Sequence, residues 1–285
     1  CSEIRQGNRW WYSDPITLDA SNTNGVIVNG NTVIQANGCN PGTGSSEGAG
    51  NVHLVEIARL SSPANYYSAT SIDFNGNLAY VSWHINPKKY SENFVINITD
   101  RKVLQCRENS DVKYSHTCFY DGWLFSAGDD YHNGAVLSKI HLQNGMFADN
   151  KEEQLVNLTG NSGNCVEVVG NTLLTASGTE DGGFDLLQLN SAQKQYSIPA
   201  LEAKFVYSNG EKIVTLNNMS LGTVNVYDAR NGKPEDMLAT PVLTFNAGPI
   251  APVDGKNVIM CSEKYIYVCM GKNGLHSFDI NTGRE

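Results

Sequence analysis

No run of about 20 apolar residues occurs anywhere in the chain, which excludes a helix long enough to span a bilayer. Helical periodicity is nearly absent as well; its best candidate, KEEQLVNL at 151–158, is short and sits between more regular segments. Positive charge is scarce. The 20 Lys and Arg stand against 29 Asp and Glu, and the formal net charge of −9 argues against nucleic acid as a partner. Proline numbers only 9 against 27 Gly, a balance that suits many hairpin turns better than a disordered linker. The seven cysteines include no CxxC pair and no His spacing of a zinc site, so no metal is expected.

What the chain does have is repetition. A short apolar stretch, a tight turn and a second apolar burst return six times: VIVNGNTVIQANG at 26–38, IDFNGNLAYVSW at 72–83, CFYDGWLFSAGDD at 118–130, VEVVGNTLLTASG at 166–178, VYSNGEKIVTL at 206–216 and IMCSEKYIYVCMG at 259–271. The turn glycines Gly30, Gly76, Gly122, Gly170 and Gly210 are 46, 46, 48 and 40 residues apart. A period of roughly 40–50 residues with several short strands per unit is that of an all-β β-propeller. Six visible repeats predict six four-stranded blades, or seven if the native chain is longer.

The second repeat supplies the pattern: TSIDF (70–74) innermost, LAYVSW (78–83) second, FVINI (94–98) third and KVLQCRE (102–108) outermost. Third strands recur as LVEI (54–57), AVLSKI (135–140), FDLLQL (184–189), TVNVYD (223–228) and GLHSFDI (274–280). Several alternate apolar with polar, as strands of packed sheets do. The expected core is Val33, Leu54, Ile72, Tyr80, Val81, Phe94, Leu124, Val136, Leu173, Leu187, Val214, Val224, Ile266 and Phe278. Residues 25–285 would form the propeller, and within 1–24 the segment RWWYSDPITLDA (9–20) would supply a strand that closes the ring. Cys39, Cys106, Cys118, Cys165, Cys261 and Cys269 are expected to act as small hydrophobes. Cys261 and Cys269 flank one predicted hairpin, and a disulfide is the alternative there.

The opening Cys1-Ser2-Glu3 resembles the start of a mature bacterial lipoprotein. That resemblance implies lipid attachment at Cys1, a signal peptide already removed and an outer-membrane address in the bacterial cell envelope, with membrane contact only through the anchor. YIYVCMGKNGLHSFDINTGRE (265–285) resembles the LVIVD-type propeller repeat of bacterial surface lipoproteins, and TVNVYDARNGK (223–233) is similar to the YVTN-type repeat of surface-layer proteins. The likeness extends weakly over 25–285. It implies a propeller and a role in surface binding or adhesion, and it transfers no catalytic residue.

Candidate ligand-binding residues come from the loops between second and third strands, which emerge together on one face. The first of these, ANGCNPGTGSSEGAGN (36–51), is far longer than a hairpin needs. Trp83 and His84 end the second strand at the rim, Tyr90 follows in the second loop, HINPKKYSE (84–92), and an exposed aromatic there would stack on a sugar ring. GDDYHNG (128–134) gathers Asp129, Asp130, Tyr131 and His132, groups able to bind a cation or exchange protons, although Asp, Asn and Gly also serve turns for backbone reasons. Glu180 and Asp181 stand in the fourth loop, SGTEDGG (177–183). The GxSxG match at Gly44, Ser46 and Gly48 lacks the strand and helix that a nucleophile elbow needs.

The leading expectation is a binding or adhesion module that recognises a glycan or an envelope protein through the loop face, without catalysis. The alternative is a glycan-degrading hydrolase or lyase whose loop carboxylates converge on the central channel roughly 5–10 Å apart. No cofactor is expected, since the FDINTGRE phrase lacks the recurrent Trp docking motif of quinone-dependent propellers.

Overall fold

The computed structural model describes residues 23–29, 32–37, 67–85, 90–109, 112–149, 152–178, 183–198, 203–217, 220–230, 238, 240–250, 258–271 and 273–285. Every element among them is a β-strand or a turn, and all strand pairing is antiparallel.

Five blades follow one another along the chain. The first comprises β3 (Tyr67–Asn75), β4 (Leu78–Ile85), β5 (Tyr90–Asn97) and β6 (Lys102–Asn109). In the second, β7 (Val112–Tyr120), β8 (Trp123–Asp130), β9 (Gly134–Gln143) and β10 (Met146–Phe147) run in order, and β11 (Glu153–Asn157) also pairs with β9. The third holds β12 (Cys165–Val169), β13 (Thr172–Ala176), β14 (Phe184–Gln188) and β15 (Lys194–Ile198). The fourth holds β16 (Phe205–Ser208), β17 (Lys212–Leu216), β18 (Thr223–Asp228) and β19 (Leu243–Asn246). The fifth has three strands, β20 (Ile259–Cys261), β21 (Tyr265–Cys269) and β22 (Leu275–Asp279).

The propeller architecture agrees with the repeat pattern, but the expected six or seven blades do not. Its first repeat forms only a two-stranded sheet, β1 (Thr23–Asn29) with β2 (Thr32–Asn37), beside five blades of three to four strands along the sheet. The reason lies in what repeats. The recurring phrase encodes a hairpin, whereas a blade also needs a third strand bonded to the second. In the first repeat the segment offered as that strand, 54–57, falls outside the described residues, as do the ring-closing segment 9–20 and the GxSxG loop. The helix-like stretch 151–158 contains strand β11 instead, with Gln154 opposite Ser138.

The first strand of each blade is innermost. β3 packs against β7, β7 against β12, β12 against β16 and β16 against β20, while β1 lies against β20, β21 and β3. Glycine serves the turns leading out of these strands for a steric reason. Gly76, Gly122, Gly170 and Gly210 have φ of 58, 78, 58 and 90°, a region costly for a side chain with a Cβ.

Ten expected core positions are buried: Tyr80, Val81, Leu124, Val136, Leu173, Leu187, Val214, Val224, Ile266 and Phe278. Ile72 and Phe94 are half-buried. The largest apolar cluster runs through the third, fourth and fifth blades, from Cys165 to Ile280. Removing a Val, Leu or Phe side chain from water is worth about 1.5–3 kcal/mol, so the blades stabilise one another.

The inner strands are sheet edges, and their backbone groups need partners outside the blade. Side chains of neighbouring blades supply them. Ser71 Oγ accepts the Thr117 N–H at 3.0 Å, and His116 Nδ1 accepts the Val166 N–H at 3.3 Å. Bulges at equivalent places, Thr70 in β3 and Ser115 in β7, bend the first two inner strands alike. Thr70 Oγ1 then donates to the Ser82 and Tyr114 carbonyls at 3.2 and 3.3 Å.

Candidate functional site

The loop face carries the β8–β9 hairpin, and its carboxylates have backbone duties. Asp130 Oδ1 accepts the His132 and Asn133 N–H groups at 2.8 and 2.7 Å, which fixes the tip as an Asx-type turn. Asp129 reaches across to the segment entering the third blade, where Oδ1 accepts the Gly163 N–H at 2.9 Å and Oδ2 lies 3.2 Å from the donating Ser162 Oγ. At this seam the chains pass almost in contact, and a Cβ on Gly163 would stand 2.3 Å from the Gly128 carbonyl oxygen.

What the hairpin offers to solvent is aromatic. Tyr131 is 58% exposed, and its ring meets His132 edge-on with centroids 4.9 Å apart. Trp83 is placed differently from an exposed platform: it is 9% exposed, packs with Ala79, Val81 and Ile96, and meets the Phe94 ring edge-on at 5.8 Å. Its indole Nε1 has no hydrogen-bond partner among the described residues. His84 is the last residue but one of β4, and Tyr90 begins β5. Glu180 and Asp181 lie outside the described residues, as does Cys1.

A second constellation, absent from the sequence reading, lies on the inner strands. Each inner strand contributes one ionisable side chain: Asp73 from β3, Cys118 from β7, Glu167 from β12, Tyr207 from β16 and Cys261 from β20. They feel one another's charge. Glu167 is raised by Asp73, Cys118 by Glu167 and Asp73, and Cys261 by Glu167; Tyr207 senses all the other four. Burial is the largest cause throughout. It raises the Asp73 carboxyl to about 6 despite backbone donors that pull it down, and it pushes Glu167 well above the usual carboxylate range. The Cys118 and Cys261 thiols and the Tyr207 phenol are likewise pushed up.

A signal for part of this set exists in the sequence. Asp73, Glu167 and Tyr207 each stand three residues before a turn glycine (Gly76, Gly170 and Gly210), and Cys118 stands four before Gly122. Aligning the repeats on those glycines stacks Asp73, Glu167 and Tyr207 into one column and leaves Cys118 one place off, while the turn after Cys261 has no glycine to align on. Among the described residues, no group of three or more His, Cys, Asp or Glu is placed to hold a metal ion.

No protein-family model and no curated protein matches the chain, so the resemblance to LVIVD- and YVTN-type repeats gains no sequence support. Solved structures similar to it include Hsv2 of Kluyveromyces lactis, 12% identical with a TM-score of 0.49 over 76% of this chain and 61% of that one. The computationally designed Ika8 protein is 11% identical at 0.49, over 93% and 98% of the two chains. BamB of Moraxella catarrhalis is 8% identical at 0.45, over 86% and 65%. The match thus spans less than two thirds of Hsv2 and of BamB, and likenesses at this level transfer no ligand, partner or activity.

Proposed function

We propose that the chain is a binding propeller that recognises a glycan or an envelope protein through the face bearing the β8–β9 tip. The observation that carries this reading is the pairing of a fixed backbone with an exposed aromatic. Asp130 holds the turn with two hydrogen bonds, and Tyr131 stands out of it at 58% exposure against His132. A tyrosine brings large contact area at low entropic cost, and a preformed turn lowers the ordering cost of binding. The carboxylates that an acid–base mechanism would draw from this hairpin, Asp129 and Asp130, already accept backbone N–H groups, which favours recognition over hydrolysis.

The test is a broad glycan array with purified protein, followed by capture from envelope extracts, each repeated with Tyr131→Ala and His132→Ala. Loss of at least about tenfold in affinity, about 1.4 kcal/mol, with an unchanged circular dichroism spectrum is the expected outcome. Ligand binding that both variants retain at full strength overturns the assignment of this tip.

A further inference from the structure

The first and second blades face each other across a layer of buried polar side chains. Residues two apart on a strand share a face. Tyr80 and Val95 of the first blade and Leu124, Val136 and Ile140 of the second belong to one apolar cluster, so the faces that carry them meet in one seam. Two places along those strands stand Ser82, Asn93, Ser126 and Ser138, none more than 1% exposed. The register completes two rows at this level. Ser71, Ser82, Asn93 and Arg107 are opposite one another in turn across the first blade, and Thr117, Ser126 and Ser138 across the second.

Both ends of the layer are closed. At the inner end Ser71 Oγ lies 3.1 Å from Thr117 Oγ1, and at the outer end Arg107 Nη2 donates to Glu152 Oε2 at 3.1 Å. Val136 and Ile140, both fully buried, flank Ser138 along β9. Between these closures three oxygens have no hydrogen-bond partner among the described residues: Asn93 Oδ1, Ser126 Oγ and Ser138 Oγ. Asn93 Nδ2 already donates to Ser82 Oγ at 2.9 Å, so turning the amide over would only exchange an orphaned oxygen for an orphaned nitrogen. The third and fourth blades satisfy the equivalent third-strand group with side chains. Asp185, opposite Thr175 as Ser138 is opposite Ser126, accepts from Thr159 and Ser197, and Asn225, opposite Thr215, accepts from Thr244 at 2.7 Å.

The chemistry of the layer sets what it takes. Arg107 is 2% exposed and its charge is met by Glu152, so no net charge calls for an ion. Two hydroxyls that donate or accept, with one carbonyl oxygen that accepts, suit a molecule able to do both, and the packed apolar residues around them restrict its size. We propose that the seam between the first two blades is a binding site for ordered water, held by Asn93, Ser126 and Ser138. The water joins the amide of one blade to the hydroxyls of the other, where no backbone ladder runs, and is part of what holds the two blades together.

The experiment measures oxygen-17 magnetic relaxation dispersion of water with the full chain, with Ser126→Ala, with Ser138→Ala and with both changes, and unfolds each in urea. Such dispersion counts waters held far longer than surface hydration. Each alanine variant is expected to lose at least one long-lived water and to show a lower urea midpoint with an unchanged m value. A dry seam gives the opposite sign, because alanine would then remove an unpaired hydroxyl and leave stability equal or higher. An unchanged count of long-lived waters, or a midpoint that stays or rises, overturns the proposal. Should the variants fail to fold, a crystal structure of the unmodified chain decides. A water bonded to at least two of the three oxygens supports the site, and none there refutes it.

Discussion

Asp73 and Phe119 stand 46 residues apart and join two blades through one short hydrogen bond, from the Phe119 N–H to Asp73 Oδ2 at 2.5 Å. The other carboxylate oxygen accepts the Phe74 N–H on its own strand. One side chain thus satisfies donors on both sides of the seam between β3 and β7, where no backbone ladder runs. Ser71 repeats the arrangement two residues earlier, with its Oγ accepting the Thr117 N–H and lying 3.1 Å from Thr117 Oγ1.

Asp73→Ala therefore strands the Phe119 N–H on an inner edge. A hydrogen bond to a charged group is worth about 1.5–3 kcal/mol. The expected result is a lower urea midpoint at pH 7 with an unchanged m value, which marks lost stability rather than a changed unfolded state.

At the surface one carboxylate carries a pH effect. Arg230 and Lys212 both bond the Asp228 carboxylate, through Arg230 Nε at 3.1 Å and Nη2 at 2.8 Å and Lys212 Nζ at 3.2 Å. Hydrogen bonding to Arg230 is the largest cause holding Asp228 well below the usual carboxylate range. Its contribution is present above the unfolded value near 3.8 and disappears as pH falls through the folded one. Asp228→Asn is expected to lessen the loss of stability on acidification, with a difference that shrinks at 0.5 M salt because the pair is solvent-screened. Thermal unfolding between pH 2 and pH 7 at two ionic strengths checks this.

Much of the fold was legible because hairpins leave a strong trace. A glycine with positive φ stands at four of the tight turns, and Gly76, Gly122, Gly170 and Gly210 betray them. Apolar bursts on either side then place the strands, and LAYVSW falls wholly inside β4. Blade number was less legible, because the 26–38 phrase matches the hairpin of a blade while yielding only β1 and β2. The loop face was read in part. Tyr131 is exposed as a binding group needs to be, but Trp83 is packed, since its neighbour Phe94 and the flanking Ile72 and Phe74 create an apolar seat that only three dimensions reveal. The inner-strand set escaped altogether. On an edge strand that alternates in and out, a carboxylate such as Glu167 reads as solvent-facing, and only the closing of the blades turns that side inward.

Close backbone approach at the seam between second and third blades predicts a sharp intolerance. A methyl group on Gly163 would lie 2.3 Å from the Gly128 carbonyl oxygen and 2.5 Å from its nitrogen, so backbone rather than a flexible side chain would have to yield. The same residue donates its N–H to Asp129. Gly163→Ala is expected to cost about 1–3 kcal/mol or more through overpacking, seen in calorimetry as a midpoint lowered by several degrees. Asp129→Asn, which keeps an acceptor for that N–H, should cost less than Asp129→Ala.

Cysteine reactivity tests burial directly. Cys106, Cys118, Cys165, Cys261 and Cys269 are free thiols, and only Cys106 among them is exposed. The alternative of a Cys261–Cys269 disulfide is thereby replaced by two buried thiols on paired strands, where Cys261 stands opposite Ile266 and Cys269 opposite Leu275. Burial pushes the Cys118 and Cys261 thiols up, which depletes the thiolate that alkylating agents require. Brief iodoacetamide treatment of the folded protein at pH 8, followed by peptide mass mapping, should label Cys106 and spare the other four. In denaturant all five should react alike. Labelling of Cys118 or Cys261 in the folded chain at the rate of Cys106 would mean that the inner strands open far more readily than their packing implies.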